Sequence, residues 1–164
     1  MSIIRLLFFL IILFVSTSSM AQNKTGNIEI TGDSLRTMIL TTEGLLKMKQ
    51  ITLVAKGHDE KMHKYEGVLL LDVLSSAGVK FGEKAKKTTS ASYVLVKGAD
   101  NYRVIFSLAE IDTLFTDKKI MIASMEDNSP LPSNVGPFQI VAPGEKKHSR
   151  WVRQVVSIKV VTVY

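Results

Sequence analysis

The sequence predicts an α+β domain in which strand outweighs helix, with short helices set against a mixed β-sheet. Three observations carry this. Apolar residues alternate with polar ones over short segments, the pattern of half-buried strands. Turns rich in glycine, asparagine and aspartate separate those segments at short intervals. Helical signals are brief and come with their own caps or stops.

Taken in order, residues 27–31 alternate through Ile28 and Ile30 and form a first strand ended by Gly32-Asp33. Thr42-Glu43-Gly44-Leu45-Leu46 predicts a short capped helix. A strand follows over residues 50–56, with Ile51, Leu53 and Ala55 on one face. Gly57-His58-Asp59-Glu60 is the loop of a hairpin returning at residues 62–65. Leu70, Val73, Leu74 and Ala77 have helical spacing, and Gly78 stops that helix. The lysine-rich residues 80–90 read as a surface loop. Strands at 92–97 and 102–106 are joined by Gly98-Ala99-Asp100-Asn101, a hairpin signal. Ser107-Leu108-Ala109-Glu110 is a capping box that starts a helix at once. Strands at 119–124, 138–142 and 155–163 complete the sheet, with Asp127-Asn128-Ser129-Pro130 as a turn.

Residues 1–21 read as a signal peptide. Arg5 gives a positive start, residues 6–15 are an unbroken apolar run, and Ser19-Met20-Ala21 offers small residues for cleavage near Ala21. That run is shorter than the ~20 residues a membrane span needs, which favours a cleaved leader over the alternative of a retained N-terminal membrane anchor. Residues 22–164 then form one domain, exported to a bacterial periplasm or secreted, with no membrane span in the mature chain. The chain has no cysteine, so its core holds it together without disulfides, and thiolate chemistry and lipid attachment through cysteine are excluded. The formal charge is +6, of which the leader's Arg5 supplies one. The excess is dispersed and no aromatic-interleaved basic motif accompanies it, which sets nucleic acid aside.

The densest functional signal lies late in the chain. A strand runs into Pro143-Gly144, and Lys146, Lys147, His148, Arg150 and Arg153 then crowd the only tryptophan, Trp151. Such a segment is either a solvated turn whose cationic stems cover apolar surface, or an anion-binding loop on a rigid scaffold. His58-Asp59-Glu60 and His63 admit zinc or copper by residue type, but a strand sends residues five apart to opposite sides, which favours a polar hairpin loop.

The order of these pieces resembles the sulfite-oxidase-type, oxidoreductase molybdopterin-binding domain family. The resemblance rests on Gly67-Val68-x-Leu70-x-Asp72-Val73-Leu74-x-x-Ala77-Gly78, on Gly98-Ala99-Asp100-x-Tyr102, and on Asn128-x-Pro130-Leu131-Pro132. It closes on Gly136-Pro137-Phe138-x-Ile140-Val141-x-Pro143-Gly144 with Arg150-Trp151-Val152. It implies a mixed α+β fold that holds a molybdenum–pterin cofactor. It also implies basic side chains facing the cofactor's phosphate, with Arg150 foremost and Lys146, Lys147 and His148 beside it. In the family a cysteine thiolate ligates the metal near residues 53–58, and here that stretch reads Leu53-Val54-Ala55-Lys56-Gly57-His58.

Two functional classes follow. The first is an exported oxidoreductase-family protein that binds molybdopterin, or a similar anion, without the usual cysteine-ligated molybdenum. The second is a non-catalytic exported module for a small anionic ligand or an exported protein partner. A metal-binding protein using His58 and His63 is a third.

Overall fold

The computed structural model describes residues 26–33 and 35–163; the signal peptide expected over residues 1–21 falls outside them. In chain order the strands are β1 (Asn27–Gly32), β2 (Met38–Thr41), β3 (Ile51–Lys56), β4 (Met62–Leu69), β5 (Ser92–Gly98), β6 (Arg103–Ser107), β7 (Met121–Glu126), β8 (Ser129–Pro130), β9 (Gln139–Val141) and β10 (Val155–Thr162). Three short helices join them, α1 (Thr42–Leu46), α2 (Leu70–Ser76) and α3 (Lys86–Ser90), together with single 3₁₀ turns at Glu83–Ala85, Leu108–Glu110 and His148–Arg150.

The strands divide over two sheets. One runs β2-β1-β10-β5-β6, antiparallel except for the parallel pair β1 and β10. The other runs β3-β4-β7-β8, with β9 sharing the far edge of β7 at its opposite end. The inward residues Ile28, Ile30, Phe106, Met121, Ile122, Phe138, Ile140 and Ile158 are fully buried in one apolar cluster. Burial on this scale, at ~25 cal/mol per Å² of apolar surface, is the main source of stability in a domain without disulfides.

Local chemistry sets the element ends. The Thr41 hydroxyl accepts the Gly44 N–H at 3.0 Å and caps α1. Gly78, at φ 101°, ends α2, where the Val79 N–H returns to the Leu74 carbonyl. The turns at residues 57–60 and 98–101 share one backbone design. In each the fourth residue is left-handed (Glu60 φ 68°, Asn101 φ 67°) and its N–H returns to the leading glycine's carbonyl. The aspartate at the third position, Asp59 or Asp100, accepts the N–H two residues on. Asp127-Asn128 joins β7 to β8 with both residues at positive φ, as a two-residue hairpin requires. The Gly136–Pro137 bond is cis.

Several expectations are corrected. Residues 80–90 are not a plain loop. Ala85 and Thr89 turn inward and are buried, which organises a 3₁₀ turn and α3. β2 lacked a sequence signal. β4 continues past Tyr65 to Leu69 through a bulge between Glu66 and Gly67, where it pairs with β7. Met62, the first residue of β4, stands 64% exposed.

Gly67 allows that bulge. A Cβ there would clash with the Ile122 carbonyl oxygen and come within 2.7 Å of the Ala123 Cα, both fixed backbone. Gly67→Ala is therefore expected to destabilise the protein by about 2–3 kcal/mol, as overpacking against a rigid ladder does. Urea unfolding measures this, and an unchanged midpoint would remove the bulge from its place in the fold.

Candidate functional site

The basic segment leaves a short backbone ladder and returns to it. The Ile140 N–H donates to the Val152 carbonyl at 2.9 Å, and the Val155 N–H to the Phe138 carbonyl at 3.0 Å. Between these bonds the chain turns at Gly144, at φ 82°, and passes through the His148–Arg150 turn. Trp151 packs beneath it, 4% exposed, with its indole N–H donating to the Ala142 carbonyl at 2.9 Å.

Arg150, the leading anion candidate of the sequence, is engaged by carboxylates. Its two terminal nitrogens take both oxygens of Glu110 at 3.0 and 3.1 Å, while Nε donates to Glu145 at 2.8 Å and Nη2 pairs with the same oxygen. The guanidinium carbon lies 4.5 Å from the Phe106 ring centroid. Burial works against its charge, but Glu110 and Glu145 more than offset this and hold its pKa above the ordinary value. Glu110 is positioned by the capping box, in which the Ser107 N–H donates to it at 2.7 Å and the Glu110 N–H to the Ser107 hydroxyl at 3.1 Å. Among the described residues, the lysines of this loop without a carboxylate partner are Lys146 and Lys147.

His148 is a bracket between the loop and β3. Its Nε2 lies 2.7 Å from the Lys56 carbonyl and must carry the proton to bond there. Its ring stands 4.7 Å from that of His58 and 4.6 Å from that of Trp151. Tyr65 meets the other side of Trp151 at 5.4 Å. Burial, Arg153 and His148 keep the His58 imidazole below the usual histidine pKa. Burial and the hydrogen bond to Glu126 push the Tyr65 phenol upward.

His63 belongs to a different arrangement. Nδ1 lies 2.7 Å from Asp127 and Nε2 lies 2.9 Å from Asp59. A neutral imidazole has one N–H, so serving both carboxylates requires the cation. Asp127 and then Asp59 raise its pKa. His63 thus ties the 57–60 turn to the β7–β8 turn. Among the described residues no group of three or more histidine, aspartate, glutamate or cysteine side chains is placed to hold a metal.

Two cavities open here. One, of about 390 Å³, is lined by Ala55, Lys56, Pro143, Lys146, His148 and Trp151. The other, of about 480 Å³, is lined by His58, His63, Tyr65, Glu126, Gln139 and Arg153 among others. Sequence reasoning missed Glu110, Glu145, Glu126 and Gln139. The capping box already marked Glu110 as positioned, and Gln139 interrupts the apolar run Phe138-Gln139-Ile140-Val141.

Two outcomes are expected. Arg150→Met keeps the stem over Phe106 but leaves Glu110 and Glu145 uncompensated, and should cost about 2 kcal/mol in urea unfolding; no loss would show that the carboxylates do not need the guanidinium. In an NMR titration, His63 should titrate above 6.5 and His58 below it. By linkage the His63 contribution is fully present below the unfolded value of 6.5 and is lost as pH rises through the higher folded pKa. His63→Gln should remove that part of the pH dependence, and the reverse order of the two midpoints would break the assignment.

No curated protein matches the chain, whereas 27 chains of solved structures do. One is the crystal structure of the sulfane dehydrogenase SoxCD from Paracoccus pantotrophus. It superposes with a TM-score of 0.65 at 20% identity over 83% of this chain and 38% of that one. The likeness is one of fold, and this chain spans well under half of that chain's length. The pattern described as "Oxidoreductase molybdopterin binding domain" matches residues 47–163, most of the sequence, and the chain belongs to that family.

Proposed function

We propose that this protein is an exported member of its family that holds the phosphate end of a pterin cofactor, or a like anion, beneath the loop of residues 142–150 and without thiolate-ligated molybdenum. Ala55 carries this reading. The resemblance locates the metal-binding thiolate near residues 53–58, and there Ala55 is buried on β3 and lines the 390 Å³ cavity with Lys146, His148 and Trp151. A methyl group offers no ligand, and the chain contains no cysteine. Molybdenum tied to the protein by a soft thiolate therefore does not fit this donor set. An anion does. Lys146 lines the cavity, with Lys147 next to it in the chain and His148 fixed by its bond to Lys56. The carboxylates on the same wall, Glu60 and Glu145, are already paired with Lys56 and Arg150.

The apolar run and small residues of positions 1–21 support export to the periplasm or beyond. SoxCD is a sulfane dehydrogenase; the Ala55 cavity gives no reason to extend that activity to this chain. A second reading, a non-catalytic module for an exported protein partner, draws on β3. Among the described residues that strand pairs only with β4, and Val54 on it and Met62 at the start of β4 are 62% and 64% exposed.

The test is metal analysis together with pterin fluorescence on protein purified from its native host. Pterin without stoichiometric molybdenum is expected, and Lys146→Ala with Lys147→Ala should cut pterin retention at least tenfold, about 1.4 kcal/mol. Stoichiometric molybdenum, or the absence of any pterin or other bound anion, overturns the reading.

A further inference from the structure

The 480 Å³ cavity bounded by the 57–60 turn, the β7–β8 turn and β9 has a polarity of its own. Asp59 and Asp127 both close on His63, so that trio is satisfied internally. Glu126 accepts the Tyr65 hydroxyl at 2.9 Å on one carboxylate oxygen, and that oxygen lies 3.5 Å from His63. The second oxygen bonds to no described residue. Arg153 lines the same cavity, and among the described residues no carboxylate pairs with it. Gln139 lines it too. Its side chain is 3% exposed on a strand between the buried Phe138 and Ile140, and no described residue hydrogen-bonds its amide.

The Gln139 amide is open to this cavity and not sealed in the core, where the Thr89 hydroxyl is the buried side-chain polar atom without a partner among the described residues. The amide's hydrogen-bonding capacity is therefore turned to whatever fills the cavity. The unmatched groups are also separated in space. Gln139 pairs with Ala123 on β7, and Glu126 lies three residues further along that strand, about 10 Å at the strand rise. Arg153 follows Val152, whose carbonyl accepts the Ile140 N–H, so its side chain starts from the Gln139 end of the cavity. The Gln139 end thus carries an amide and the root of the Arg153 side chain, and the Glu126 end a carboxylate. A simple anion would meet excess negative charge from Asp59, Glu126 and Asp127, and a simple cation would meet Arg153.

We propose that this cavity binds a small zwitterion of the amino-acid class, its carboxylate on Arg153 and Gln139 and its ammonium on Glu126. Guanidinium suits a carboxylate because it can donate two parallel hydrogen bonds. The Gln139 amide can donate alongside it, which satisfies the buried group. This site is separate from the Lys146 cavity and does not rest on the pterin reading.

Calorimetric titration of the full chain with the ω-amino acids from glycine to 6-aminohexanoate scans the spacing of the two charges. Hexanoate and hexylammonium serve as single-charge controls. At least one zwitterion should bind about tenfold more tightly than either control. Arg153→Gln and Glu126→Gln should each weaken that binding about tenfold, the latter keeping an acceptor for Tyr65. Lys146→Ala should leave it unchanged. The proposal fails if no zwitterion outbinds the single-charge controls, if none binds measurably by about 10 mM, or if binding survives both cavity substitutions unaltered.

Discussion

The structure depends on the short ladder between β9 and residues 152–155. β9 is paired on its other edge with β7, and Val155 begins β10, the central strand of the opposite sheet. The bonds from Ile140 to Val152 and from Val155 to Phe138 therefore join the two sheets and fix both ends of the basic loop together. Phe138 and Ile140 are fully buried between the sheets, so the ladder is held by the core, and the loop inherits that rigidity.

On this frame three cations beside the cavities are already matched. Arg150 is clamped by Glu110 and Glu145, His63 by Asp59 and Asp127, and Lys56 by Glu60. The exposed Lys56–Glu60 pair contributes little stability, unlike the part-buried Arg150 clamp, but each of these pairs positions a turn. What stays chemically open is Lys146 and Lys147 near one cavity, and Arg153, Gln139 and one oxygen of Glu126 at the other. The second-position side chains, His58 and Ala99, take no part in the shared turn geometry. His58 can thus face a cavity without altering how its hairpin closes.

Features specified within a few residues were legible in the sequence. The two glycine-led turns, the Ser107 capping box and the Gly78 helix stop each satisfy their own backbone groups, so local residue identity is enough. Features decided at long range were not. Arg150 meets Glu110 across 40 residues, and His63 meets Asp127 across 64. β2 forms because β1 offers an edge, not because Met38-Ile39-Leu40-Thr41 alternates cleanly. α3 follows from the inward pull of Ala85 and Thr89 in a segment whose lysines read as solvent. Of the loop, its place was legible and the partners of Arg150 were not.

Ala55 has a kinetic consequence. A thiolate at the end of β3 would anchor its ligand by a coordinate bond and make the loaded state nearly permanent. A methyl group there means that whatever enters the cavity is retained by charge and shape alone. Occupancy then follows the free ligand concentration and falls as ionic strength rises. On the proposed reading, such a domain would exchange its guest with the surroundings instead of keeping one for life.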